Sequence, residues 1–256
     1  MCFDLDSQPP IDPIAGGALD HEELFLEAAD GNRFAAFRAR AAEPNGAGVV
    51  ILPDVRGLYS FYEELALHFA EAGIDALAFD YFGRTAGAST RDAEFSYMEH
   101  VQQTRLVDLR ADVSAAAAEL RRDDRVRALF TVGFCFGGRL AYMSATFGLD
   151  LAGSVAFYGR PLVDQPGYPA PVSVAPAMAN PVLGLFGGAD QAIPPEAIAE
   201  LEAALTAGKV RHELVTYPGA PHSFFDRKAA DFADAATDSW QRTLAFIAAN
   251  TPVRPA

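Results

Sequence analysis

Short runs of consecutive hydrophobic residues alternate along this chain with longer stretches in which hydrophobic residues recur every three or four positions. A short unbroken run is typical of a strand buried on both faces, and the longer period is typical of an amphipathic helix. The predicted strands are 48–53, 74–80, 126–134, 152–158, 181–187 and 209–218, and the predicted helices are 60–73, 104–121, 139–147, 194–208 and a closing helix through Trp240. Ser60 and Glu63 have capping-box spacing at the start of the first helix. Strands that alternate with helices predict an α/β fold with a mostly parallel, doubly wound sheet flanked by helices.

Both the start of the chain and one internal segment depart from this alternation. Residues 24–40 predict a hairpin that turns at the Asp-Gly pair 30–31. Residues 1–23 contain prolines and glycines that predict an irregular N-terminal arm, and residues 160–180 are too rich in proline for regular structure. We therefore expect a single α/β domain over 24–256, with the insertion 160–180 shaping one wall of a pocket.

Composition and charge narrow the set of partners. Half of the 256 residues are hydrophobic, and the formal net charge is −14 at pH 7. Nucleic acids and anionic membranes attract concentrated positive charge, so neither is an expected partner. An anionic small molecule fits this charge only if individual arginines bind it. No signal peptide and no membrane-spanning run are predicted, and we expect a cytoplasmic protein, either a monomer or a homodimer.

The chain has two cysteines, and one of them lies in the run Gly133-Phe134-Cys135-Phe136-Gly137. Two cysteines cannot form a disulfide framework, and no Cys and His pair has the spacing of metal ligands, so neither a metal nor a cofactor is expected. A free cysteine is often a small buried hydrophobic residue. The alternative is a nucleophile elbow, in which glycines flank a nucleophile on a tight strand-to-helix turn. The predicted strand before Cys135 and the predicted helix after it favour the elbow.

Two further residues follow predicted strands in the order expected for a hydrolase. Asp190 comes after the strand 181–187, and His222 comes after the strand 209–218. Taken alone, Asp190 could be a turn carboxylate and His222 a surface histidine. However, the carboxyl ends of parallel strands meet at one edge of a sheet, where ligands bind in folds of this type. The order nucleophile, acid, histidine favours a catalytic triad.

The chain resembles the dienelactone hydrolase family from about residue 24 to residue 249. The motifs that carry the resemblance are VGFCFGGRLAY around Cys135, FGGADQAIPP around Asp190, PHSFFDR around His222, ILPDVRGL at 51–58 and FDYFGR at 79–84. The resemblance implies an α/β-hydrolase fold, with Cys135 as nucleophile, His222 as general base and acid, and Asp190 orienting the imidazole. The backbone N–H groups of Phe136 and Val55 would then form the oxyanion hole.

The resemblance also implies roles for residues around the triad. Asp54 stands where the family has an acid, usually Glu, that helps to generate the thiolate; the alternative is that Asp54 caps a turn. Arg84 matches one arginine that binds the substrate carboxylate, but the second arginine position holds Asp226, with Arg227 one residue later.

Two further residues are candidates to line the pocket. Arg56 could grip a carboxylate, pair with Asp54 or lie on the surface. Tyr158 could line the pocket or be a core tyrosine with its hydroxyl at the surface.

These observations favour one function over two alternatives. We expect a hydrolase of small carboxylic esters or lactones that acts through an acyl intermediate on Cys135 and uses no cofactor. A protein that binds small carboxylates without catalysis, or one that senses redox state through Cys135, could use the same fold. Neither alternative requires Asp190, which favours the hydrolase.

Overall fold

Eight strands form one sheet, in the order β1-β2-β4-β3-β5-β6-β7-β8. The computed structural model describes residues 7–12, 20–89, 91, 94–122, 124–226 and 229–252. The strands are β1 Asp20–Glu27, β2 Arg33–Arg40, β3 Ala47–Leu52, β4 Asp75–Phe79, β5 Ala128–Phe134, β6 Gly153–Phe157, β7 Val182–Gly187 and β8 His212–Tyr217. Strand β2 is antiparallel to both of its neighbours, and every pair from β4 to β8 is parallel. This mostly parallel sheet with its N-terminal hairpin is an α/β-hydrolase fold.

Helices connect the parallel strands and pack on the sheet. They are α1 Ser60–Glu71, α2 Gly83–Ala86, α3 Tyr97–Val101, α4 Leu106–Leu120, α5 Phe136–Ser144, α6 Pro171–Val174, α7 Pro195–Ala207 and α8 Ala233–Ala249, with a 3-10 turn at Ala175–Ala177. The rings of Phe69 in α1 and Trp240 in α8 lie 4.7 Å apart, so these two helices pack together. Among the helices described, none is long and apolar enough to cross a membrane.

The central strands are buried on both faces, as their unbroken hydrophobic runs predict. Every residue of β3, β4, β5, β6 and β7 is buried. The two edge strands differ, because β1 is mostly exposed and β8 is only partly buried. The strands that precede Cys135 and Asp190, β5 and β7, thus lie in the buried centre of the sheet.

Several boundaries differ from the sequence prediction. Strand β1 begins at Asp20, inside the segment predicted as an irregular arm, because all eight of its residues pair with β2. Helix α1 begins at Ser60, so its N-cap is Tyr59 and not Ser60, the N-cap that the capping-box spacing predicts. The insertion 160–180, predicted to be irregular, contains α6 and the 3-10 turn. Each has a proline in its first turn, where the backbone N–H that proline lacks would make no hydrogen bond within the helix.

Candidate active site

Cys135 occupies a tight turn between a strand and a helix. It follows β5, precedes α5 and has a backbone φ of 54°. A side-chain carbon at Gly133 would collide with the carbonyl oxygen of Gly137, and one at Gly137 would collide with the carbonyl oxygen of Leu52. Only glycine therefore fits on both sides of Cys135, and the backbone has the geometry of a nucleophile elbow.

Cys135 lies where a helix begins. Cys135 forms no disulfide with any described residue, is partly exposed, and stands directly before the nine-residue helix α5. The backbone N–H of Cys135 donates to the carbonyl oxygen of Phe157, 3.0 Å away, which ties the turn to the neighbouring strand β6. The partial positive charge of a helix N-terminus stabilises a thiolate.

His222 and Asp190 are in direct contact. Nδ1 of His222 lies 2.6 Å from Oδ2 of Asp190, whose other oxygen accepts the Ala192 N–H at 2.8 Å. Asp190 is buried, while His222 is partly exposed. The contact to Asp190 occupies Nδ1 and leaves Nε2 as the ring nitrogen that can exchange a proton with a substrate or a thiol. The two residues follow β7 and β8, so they share the sheet edge at which Cys135 follows β5.

Tyr158 lies behind the His222 ring. It follows β6, has a φ of 39° and is fully buried. Its ring centroid is 4.9 Å from that of His222, and its hydroxyl donates to Oδ2 of the buried Asp226 at 2.9 Å. The Tyr158 hydroxyl is thus inside the protein, which rules out the alternative of a core tyrosine with a surface hydroxyl. Its role as a pocket residue stays a prediction.

Asp54, in the loop after β3, contacts Arg56 of the same loop and Tyr62 of α1. Its side chain is fully buried, and its Oδ1 accepts the backbone N–H of Arg56 at 2.7 Å, as in a turn-capping aspartate. Its Oδ2 lies 3.1 Å from Nη2 of Arg56 and accepts the hydroxyl of Tyr62 at 3.1 Å. Burial first, and then the charge of Asp54, raise the pKa of Tyr62. The turn-capping role of Asp54 is therefore observed, and its role as thiol-activating acid stays a prediction.

Arg56 pairs with Asp54 inside the protein and does not lie on the surface. It is buried, its guanidinium lies 4.5 Å from the Tyr59 ring, and its Nη2 donates to the Tyr59 hydroxyl at 2.6 Å. Burial opposes the charge, but Asp54 and Tyr59 outweigh burial and raise the pKa of Arg56. Of the three options the sequence left open for Arg56, the structure favours the pair with Asp54.

Arg84, which the resemblance implies as a substrate-binding residue, pairs with two carboxylates of this chain, and its role in substrate binding stays a prediction. Its Nη1 pairs with Oδ2 of Asp30 at 2.6 Å, and its Nη2 pairs with Oδ1 of Asp112 at 2.8 Å. Asp30 lies in the hairpin turn and Asp112 in α4, so Arg84 ties together elements that carry no triad residue. A motif match along the sequence did not reveal these two carboxylates. The predicted substrate contact of Arg227 lies outside the described residues.

The two predicted oxyanion donors lie on adjacent segments. Val55 is in the loop after β3, and Phe136 is the first residue of α5. Gly137 packs so closely on Leu52 and Pro53 that the first turn of α5 rests on that loop. In the described part of the chain, neither the Val55 N–H nor the Phe136 N–H donates to another backbone group. The arrangement is compatible with an oxyanion hole, which stays a prediction.

Two tyrosines that the sequence did not single out flank Phe136. The ring of Tyr81 lies 5.2 Å from that of Phe136, and the ring of Tyr168 lies 6.4 Å from it, both edge-on. Tyr81 belongs to the motif FDYFGR, which could have pointed to it. Tyr168 comes from the insertion 160–180, where no local pattern marks it.

Comparisons with known proteins agree with this architecture. The sequence profile of the dienelactone hydrolase family matches residues 34–251. A candidate carboxymethylenebutenolidase of Yersinia pestis is 32% identical over 206 residues, which span 77% of this chain and 75% of the relative. Another, of Methylorubrum extorquens, is 31% identical over 81% of this chain and 74% of its own length. The crystal structure of a candidate dienelactone hydrolase from Klebsiella pneumoniae is 28% identical, with a TM-score of 0.79, over 91% of this chain and 99% of the other.

Proposed function

The chain belongs to the dienelactone hydrolase family, and we propose that it hydrolyses small carboxylic esters or lactones through an acyl intermediate on Cys135. The observation that carries the proposal is the contact of 2.6 Å between His222 and Asp190, at the sheet edge where Cys135 occupies its elbow. A thiol nucleophile, an imidazole and an orienting carboxylate are the groups that acyl transfer requires. The curated relatives named as candidate carboxymethylenebutenolidases support a lactone or ester as the substrate class.

The reaction we propose begins with the transfer of the Cys135 thiol proton to His222. The sulfur forms a bond to the carbonyl carbon of the substrate, and the carbonyl π electrons move to the oxygen. The N–H groups of Phe136 and Val55 stabilise that oxyanion, and Asp190 stabilises the imidazolium. When the oxyanion collapses, the bond to the alkoxide breaks, and the alkoxide takes the proton from His222, leaving a thioester on Cys135.

The second half of the reaction returns the enzyme to its starting state. His222 takes a proton from water, and the resulting hydroxide attacks the thioester carbonyl. The carbon–sulfur bond breaks, the acid is released, and Cys135 regains its proton from His222. An ester releases its alcohol before this step, whereas the hydroxyl of an opened lactone stays attached to the acyl group.

The proposal predicts a covalent acyl adduct on one of two cysteines. In stopped-flow mixing with p-nitrophenyl acetate, we expect a burst of nitrophenolate, and the quenched protein should gain the mass of one acetyl group. Cys135→Ala and His222→Ala should abolish the burst. Cys2→Ser is the matched control, because it removes the other cysteine of the chain and should keep the burst.

Two results would contradict the acyl-enzyme proposal. One is a burst and an acetyl adduct that persist in Cys135→Ala. The other is wild-type protein with neither adduct nor turnover across a series of small esters and lactones, which would favour the binding or redox-sensing alternatives.

A further inference from the structure

Tyr168 is fixed next to the elbow helix by a defined set of contacts. The backbones of Gln165 and Tyr168 exchange two hydrogen bonds, of 3.0 and 2.8 Å, across a tight turn. Arg139, which lies in α5 four residues after Cys135, donates from Nη2 to the carbonyl oxygen of Tyr168 at 2.6 Å. The same guanidinium stacks on the Tyr168 ring, 3.6 Å from its centroid. These contacts hold the ring of Tyr168 in one place relative to Cys135.

The hydroxyl of Tyr168 has no hydrogen-bond partner among the described residues, although the residue is only 2% exposed. A buried hydroxyl without a partner is unfavourable, because it has lost its hydrogen bonds to water. Buried polar groups in native proteins are nearly always satisfied, so an exception calls for an explanation. A bound ligand that accepts a hydrogen bond from the Tyr168 hydroxyl would explain this exception.

The surroundings of Tyr168 place it at the site of the proposed reaction. Its ring packs on Phe136, the residue after the nucleophile, and Phe136 packs in turn on Tyr81. The Tyr81 hydroxyl donates to the carbonyl oxygen of Pro53 at 2.7 Å, in the loop that continues to Val55. Burial and then the proximity of Tyr168 raise the pKa of Tyr81, with a smaller contribution from Cys135. Tyr81 therefore lies within electrostatic range of both Tyr168 and Cys135.

We propose that the Tyr168 hydroxyl donates a hydrogen bond to an acceptor oxygen of the substrate that lies outside the ester or lactone group. This inference rests on the proposed function and adds a preference within it, for esters and lactones that carry an additional acceptor oxygen. Burial also raises the pKa of Tyr168, which keeps the hydroxyl protonated and able to donate at neutral pH. A buried donor discriminates strongly, since a substrate without the matching acceptor leaves that donor unsatisfied.

The test compares Tyr168→Phe with wild type on two pairs of esters of nearly equal shape. The first pair is p-nitrophenyl methoxyacetate and p-nitrophenyl butyrate, and the second is 2-methoxyethyl acetate and butyl acetate. In at least one pair, we expect Tyr168→Phe to lower kcat/KM at least fivefold more for the ether ester than for the hydrocarbon ester. Fivefold corresponds to about 1 kcal/mol, the size of one hydrogen bond.

Tyr142→Phe is the matched control, because Tyr142 is also a fully buried tyrosine whose hydroxyl has no partner among the described residues. Tyr142→Phe should leave the ratio within each pair as in wild type. Equal losses for both members of both pairs in Tyr168→Phe would overturn the proposal. If Tyr168→Phe also has lower thermal stability and loses kcat/KM equally for both members of each pair, then the hydroxyl stabilises the fold and does not bind substrate.

A binding measurement separates this proposal from the proposed function. In a Cys135→Ala background the esters stay intact, and their Kd values can be measured by calorimetry with and without Tyr168→Phe. If wild type hydrolyses no ester but Tyr168→Phe removes a preference for the ether esters in binding, then the proposed function fails and the role of Tyr168 stands. Equal binding of both members of both pairs, or no binding at all, would overturn the role of Tyr168.

Discussion

Two buried tyrosines of this protein differ in what their hydroxyls contact. The Tyr158 hydroxyl donates to the buried carboxylate of Asp226 at 2.9 Å, whereas the Tyr142 hydroxyl has no partner among the described residues. Removing a donor from a buried carboxylate costs more than removing a hydroxyl that makes no bond. Comparing the two tyrosines therefore separates the stabilisation that comes from a hydrogen bond from the stabilisation that comes from burying a ring.

This contrast predicts different effects of two identical substitutions. Tyr158→Phe should lower the free energy of unfolding by about 1–3 kcal/mol, because Asp226 loses a hydrogen-bond donor. Tyr142→Phe should leave the free energy of unfolding unchanged or raise it. Urea titrations followed by circular dichroism measure both values. Equal effects of the two substitutions would mean that the Tyr158 hydroxyl does not stabilise Asp226.

Residues of the site could be predicted where a local pattern marks them. Cys135 is flanked by glycines that its backbone turn requires, and Asp190 and His222 each follow a hydrophobic strand. The engagement of Arg84 with Asp30 and Asp112 could not be predicted, because those partners lie in the hairpin turn and in α4, distant in sequence. Tyr168 could not be predicted for the same reason, because its proposed role depends on contacts with α5.

At the scale of elements, a buried polar network joins the strand and helix on either side of Cys135. Oγ1 of Thr131 in β5 lies 2.8 Å from Oγ of Ser144 in α5, and donates to Oγ of Ser154 in β6 at 3.1 Å. Asn180 also donates to Ser154, at 3.0 Å. Strand β5 and helix α5 define the elbow, so this network fixes how the two elements meet.

Replacing Thr131, the central residue of this network, should lower the free energy of unfolding. Thr131→Val keeps the shape of the side chain but removes the hydroxyl shared by α5 and β6, and should cost about 1–3 kcal/mol of unfolding free energy. Thr243→Val is the control, because Thr243 is equally buried but its hydroxyl donates to the carbonyl oxygen of Ser239 within the same helix, α8. Chemical denaturation of both variants checks this. A cost for Thr131→Val no larger than that for Thr243→Val would contradict it.

Elements were predicted well where burial is uniform and poorly where tertiary contacts set their ends. Strands β3 to β7 appear as unbroken hydrophobic runs because both of their faces are covered. Helix α5 begins at Phe136, three residues before its predicted start, since the glycines that disfavour a helix are required there by close packing. Strand β1 extends to Asp20 through pairing with β2, which its polar residues do not reveal.

At the scale of the whole molecule, one buried carboxylate makes stability depend on pH. Asp112 is 1% exposed, and burial raises its pKa to about 6, although Asn32 and Arg84 oppose the rise. Between about pH 4 and pH 6 the folded protein therefore keeps a proton that the unfolded chain has released. A group of this kind lowers the free energy of unfolding as the pH rises through this window.

Asp112→Asn should remove this part of the pH dependence. Between pH 4.5 and pH 7.5, wild type should lose more unfolding free energy than Asp112→Asn does, by up to about 2 kcal/mol. Urea denaturation of both proteins at the two pH values gives the difference. Thr243→Val changes no titratable group and should follow the wild-type dependence. Parallel curves for wild type and Asp112→Asn would show that Asp112 does not titrate in this range.

The three residues of the proposed triad come from the ends of three strands in the second half of the chain. Cys135 follows β5, Asp190 follows β7 and His222 follows β8, and from β5 to β8 each strand lies next to the one before it in the chain. A chain synthesised only as far as α5 contains Cys135 but neither Asp190 nor His222. The proposed mechanism therefore requires β7 and β8, the last two strands along the sheet, to be in place before Cys135 can act in hydrolysis.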